Sequence, residues 1–185
     1  MTKWRQSKAA LLILMLVGID SPAAELPAGP GLGQPASAEL VAAWDTDVMP
    51  DGTGLPPGSG TARVGAALYR THCLSCHGEN GLGSSGDQLA GAKMGLTDAW
   101  PEKTIGNFWP YATTLFDFIR RGKPMQTPGS LSSDEVYALT AYLLSLNGII
   151  GAGDEMNSNA LPKVVMPNRD GFINVWATGK KAPGQ

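Results

Sequence analysis

The chain has 185 residues and a formal net charge of −2, with 43% of residues hydrophobic and 16% charged. That leaves room for one modest domain with extensions, excludes a disordered polyelectrolyte, and offers no basic excess for binding nucleic acid. With 24 Gly, 14 Pro and 2 Cys, much of the chain is loop, and neither a disulfide framework nor a four-cysteine zinc site can be built.

Lys3, Arg5 and Lys8 precede the apolar run AALLILMLVGI from Ala9 to Ile19, and small residues follow at Ser21, Ala23 and Ala24. The run is short for a bilayer-spanning helix, and positive, apolar and small-residue regions in this order read as a secretory signal peptide over residues 1–23. An uncleaved anchor is the alternative. Either places the domain outside the cytoplasm, in the periplasm of a Gram-negative cell, and cleavage leaves no stable membrane insertion. Residues 24–60 form an acidic, Pro/Gly-rich arm with Glu25, Glu39, Asp45, Asp47 and Asp51 and no Lys or Arg. Its prolines and glycines exclude long helices and central strands. Leu40-Val41-Ala42-Ala43-Trp44 and Val48-Met49 are apolar enough to need a surface, so the arm is expected to lie over something.

The spacing of Val64, Leu68 and Thr71, with Ala67 alongside, predicts a helix over 61–74. A glycine-rich loop follows from Gly78 to Gly95. Leu115, Phe118 and Ile119 mark one face of a helix over 111–121, with Arg120 and Arg121 at its C-terminal end, where the helix dipole favours cations. Ser132 and Glu135 make a capping box that opens a helix over 133–147. Its buried stripe is Val136, Leu139, Leu143 and Leu146, and Asn147-Gly148 closes it. No run alternates cleanly as a strand, and no repeat is visible. The expected fold is an all-α domain over 61–147, followed by a loop-rich C-terminal extension over 148–185 that contains MPNRDGFINVW.

Cys73-Leu74-Ser75-Cys76-His77 carries the chemistry. C-x-x-C-H is the attachment motif of haem c: two thiols bond the porphyrin and the adjoining imidazole ligates iron. Behind a signal peptide it sits in the compartment where haem c is made. A thioredoxin-like motif would need a βαβ pattern that is missing here. His72, Cys73, Cys76 and His77 are too contiguous to surround a zinc ion. His72 is expected to point away from the iron, as a surface or propionate-side histidine. No second histidine follows His77, so the sixth ligand is a methionine, another donor or none. Met125 is the leading candidate because it lies in a Pro/Gly loop between the two clearest helices, and Met94 is the second. Phe108-Trp109-Pro110-Tyr111 is expected to wall the haem, with Trp109 and Tyr111 able to donate hydrogen bonds to a propionate.

The stretch from the CLSCHG helix through a methionine loop to a final helix, residues 61–147, resembles a class I cytochrome c. WDTDVMPDGTGLPPGSG (44–60), TIGNFWPYATTLFDFIRR (104–121) and MPNRDGF (166–172) resemble, more specifically, the haem subunits of periplasmic sulfite and sulfane dehydrogenases. Those subunits pair with a molybdenum-cofactor protein of the sulfite oxidase type. The resemblance implies one covalent haem c on Cys73 and Cys76, with His77 and Met125 as iron ligands. It also implies electron transfer from the molybdenum subunit to a soluble cytochrome c, without substrate chemistry on this chain. Relatives run Arg-Arg-Ala-Met-Pro where this chain has Arg120-Arg121-Gly122-Lys123-Pro124-Met125, which displaces the methionine by two residues. The arm and the MPNRDGF tail, wasteful on a free carrier, are expected to lie on the partner, with Arg169 pairing with a carboxylate or a haem propionate; the alternative is that both cover the haem domain itself. Two other readings fit the motif: a free-standing carrier serving another dehydrogenase, and a haem enzyme or sensor with five-coordinate iron.

Overall fold

The computed structural model describes residue 29 and residues 31–174, so the expected signal peptide lies outside the described residues. Described residues before Ala38 belong to a separate unit and form no helix or strand. From Ala38 onward the order is α1 (Ala38–Trp44), β1 (Ser59–Thr61), α2 (Ala62–His72), α3 (Leu74–His77), α4 (Ile105–Phe108), α5 (Ala112–Gly122), α6 (Ser133–Leu146) and β2 (Glu155–Asn157). Short 3₁₀ turns cover Glu79–Gly81 and Leu161–Lys163.

Helix α6 begins as its sequence dictates. The Ser132 hydroxyl accepts the Glu135 amide at 3.3 Å, while the Glu135 carboxylate accepts the Ser132 amide at 2.8 Å. That carboxylate is held below its usual pKa, chiefly by the backbone hydrogen bond from Ser132. The predicted stripe is buried at Val136, Leu139 and Leu143, but Tyr137, Ala138, Thr140, Ala141 and Leu144 are buried as well. The helix is covered on several sides because it packs against α2, α5 and the two strands. α2 crosses it at a glycine: a Cβ on Gly65 would overlap the Ala138 carbonyl of α6. One turn on, the rings of Tyr69 and Tyr142 meet with centroids 5.2 Å apart. On the α5 side, Phe116 and Tyr137 pack at 4.4 Å, both fully buried.

The structure corrects the sequence reading in two places. Ser59–Thr61 and Glu155–Asn157 pair antiparallel, a short ladder where no strand is expected. The distal part of the arm and the start of the C-terminal extension also cover the chain's own domain. Val48 is buried, and its amide donates to the Asp117 carboxylate of α5 at 3.1 Å. The Thr113 hydroxyl donates to the Pro50 carbonyl at 3.1 Å, and the Tyr137 hydroxyl to the Pro56 carbonyl at 2.9 Å. Met156, Leu161 and Met166 complete the core from the other end. Arg120 and Arg121, placed by their dipole-favoured position alone, hold this arm. Arg120 donates to the Thr46 carbonyl at 3.1 Å, and Arg121 bridges Asp47, at 3.3 Å, and Asp117.

Candidate haem c site

α2 and α3 meet at Cys73, so the two cysteines and His77 fall within one turn of backbone that redirects the chain. Gly78, at φ 71°, then reverses it, where a side chain would be strained and a Cβ would meet the Gly83 carbonyl at 2.6 Å. The loop beyond folds back on the motif. Gly83 donates its amide to the His77 carbonyl at 2.8 Å, and Gly86 donates to the Cys76 carbonyl at 2.7 Å. This brings the Asp87 carbonyl to 2.7 Å from His77 Nδ1. A carbonyl only accepts, so Nδ1 carries a proton, and in the neutral ring the lone pair then lies on Nε2, the tautomer an iron ligand needs. Gly86 is placed so that an added Cβ would lie 3.2 Å from the imidazole, which makes the loop a close backing for that ring.

Cys73, Cys76 and His77 line a cavity of about 680 Å³. Its apolar wall includes Leu115, Phe118, Ile119, Leu131, Leu139 and Leu143, so α5, α6 and the loop between them close it. Both thiols are unpaired and half-buried, and burial pushes the Cys73 thiol up to about 11. A buried, protonated thiol is a poor free nucleophile or metal ligand. The residues fit a haem: the size lies within the roughly 300–1,000 Å³ of cofactor pockets, the wall is mostly apolar, and two thiols and an oriented imidazole share one edge.

Met125 lines this cavity from the loop after α5, following a cis Lys123–Pro124 peptide, and is 70% exposed as a residue. Met94 does not line it; the amides of Lys93 and Met94 are held instead by the Glu102 carboxylate. Trp109 lines it, edge-on to Phe118 at 5.6 Å. Tyr111 is not part of the wall. The chain bends at Pro110, and the Tyr111 ring lies under the Arg169 guanidinium at 4.6 Å. Phe108 is likewise outside the wall and packs on Phe172. His72 contributes to the wall, as do Lys103 and Lys123, which the sequence did not single out. Each lysine amine lies over a phenylalanine ring, Lys103 on Phe108 at 5.1 Å and Lys123 on Phe118 at 5.0 Å. Aromatic residues ahead of and inside α5 were the available signal for both.

A helical domain closed around a C-x-x-C-H edge and an apolar cavity defines a c-type cytochrome. The family model for cytochrome c matches residues 62–147. A solved chain from the sulfane dehydrogenase SoxCD of Paracoccus pantotrophus is 40% identical, with a TM-score of 0.74, over 84% of this chain and 80% of that one. The chain belongs to the cytochrome c family: it is an electron-transfer protein whose cofactor is one covalently bound haem c.

Proposed function

We propose that this cytochrome is the haem subunit of a periplasmic sulfite or sulfane dehydrogenase, taking electrons from a molybdenum-cofactor subunit and passing them to a soluble cytochrome c. The observation that carries the reading is the 40% identity to the SoxCD chain over 84% of this one, which extends beyond the residues the general cytochrome c model matches. Among the described residues no helix is long and apolar enough to cross a membrane.

When bound, haem iron supplies one-electron redox chemistry. The protein's residues set its conditions. Cys73 and Cys76 would hold the haem covalently, and His77 would offer Nε2 to the iron because the Asp87 carbonyl holds Nδ1. Met125, which lines the same cavity, would supply the second protein ligand as a thioether, a pairing that raises the reduction potential. The leucines and phenylalanine of the wall keep water away and lower the local dielectric.

The test is purification of the protein from its native periplasm with its bound partners, followed by addition of sulfite while the visible haem absorption is monitored. Prompt reduction is the expected result. If sulfite fails, carrier-bound sulfane sulfur is supplied next. Failure of both, with full reduction by dithionite, would overturn the assignment and leave an intact cytochrome serving another donor.

A further inference from the structure

The tail Met166–Phe172, expected on a partner protein, folds back on the segment that joins α4 to α5. Met166 is buried, with 1% of its surface exposed. The Asn168 side-chain amide donates to the Phe108 carbonyl at 2.7 Å. The Arg169 guanidinium covers the Tyr111 ring at 4.6 Å, and the Phe172 ring meets Phe108 edge-on at 5.5 Å. These contacts bracket Trp109, which lies in extended backbone between the two helices and lines the cavity beside Phe118. Trp109 belongs to neither helix, so the course of its backbone depends on how residues 108 and 111 are held. Gly171 adds a second observation: a Cβ there would overlap the Asn168 side-chain oxygen. The glycine leaves the room in which the Asn168 amide reaches Phe108.

We propose that Met166–Phe172 is an intramolecular clamp and that Asn168 is a positioning residue, acting through the Phe108 carbonyl to hold Trp109 against the haem. A fixed indole excludes water from that wall, and a lower dielectric disfavours the more highly charged oxidised state. The clamp therefore raises the reduction potential, whichever protein donates the electrons.

The test uses the full-length holoprotein with Asn168→Ala and Gly171→Ala, neither of which changes charge. Redox titration and visible circular dichroism of the haem are the readouts. Both variants are expected to show a midpoint shifted to lower potential and weakened haem dichroism, with the haem-to-protein ratio unchanged. Val165→Ala, at a residue 76% exposed, should leave both readouts at the wild-type value. Wild-type midpoints and dichroism in the two clamp variants would overturn the proposal even if their melting temperatures fell, because the tail would then add stability alone. An equal shift in Val165→Ala would also overturn it. If the Asn168 variant does not accumulate, Phe172→Ala, at a residue 56% exposed, loosens the same clamp and is judged by the same criteria.

Discussion

His77 depends on a carbonyl ten residues downstream. The C-x-x-C-H spacing announces the imidazole, but nothing local announces Asp87, because any residue type can offer its backbone oxygen. The same limit applies to Gly86, which matters only because the loop returns to within van der Waals contact of the ring. Methionine choice was legible in part: a methionine held among prolines and glycines between two helices is poorly placed to fill a core, and Met125 does line the cavity while Met94 does not. Replacing Met125 by Ala should lower the reduction potential and let the reduced protein bind carbon monoxide. Unchanged spectra, with no carbon monoxide adduct, would remove Met125 from the iron. Tyr111 was misread for a simpler reason. Its aromatic character was visible in the sequence, but the bend at Pro110 that turns it toward Arg169 was not.

At the scale of elements, the helices that carry their own signals were readable to within a few residues. The α6 capping box is local chemistry, and so is the apolar stripe of α5. The α2–α6 crossing is a non-local property, and its key residue, Gly65, looks like a weakness in an isolated helix. Gly65→Ala should destabilise the holoprotein by about 1–3 kcal/mol, toward the upper end because the overlap is with backbone. Gly122→Ala, where nothing lies within 4 Å, should instead be neutral or stabilising by about 0.4–1 kcal/mol. Denaturant unfolding of the pair reads the difference in sign. The arm meets α5 through Asp117, which accepts the Val48 amide and pairs with Arg121. Asp117→Ala strands that amide and should cost about 1–3 kcal/mol. It should also expose residues 45–50 to limited proteolysis, and an unchanged cleavage pattern would show that the arm is held without it.

The whole molecule responds to alkali through its buried tyrosines. The Tyr69 hydroxyl donates to the Gly78 carbonyl at 2.8 Å, and burial pushes its pKa from 10.0 up to about 12; burial raises Tyr137 as well. A group that holds its proton more tightly when folded gives its full stabilisation below the unfolded pKa and loses it as the pH climbs through the folded one. Stability should therefore fall between about pH 10 and pH 12, and Tyr69→Phe should flatten that decline. Melting curves across the alkaline range, compared between the two proteins, check it. This scale was the least legible in the sequence. Ser59-Gly60-Thr61 has no strand pattern to detect, and its partner lies at the far end of the domain. The flanks read as partner-binding elements because their apolar residues could not be matched to the helices they cover.

That small ladder has a mechanical consequence. It zips together the two points where the polypeptide passes into and out of the helical module, so residues 62–154 form a loop whose ends touch. Tension applied through the extensions, from an anchored partner or a stretched tether, would first strip the arm from α5 and the tail from Phe108, and would then have to shear or peel three residue pairs before the loop between them was loaded.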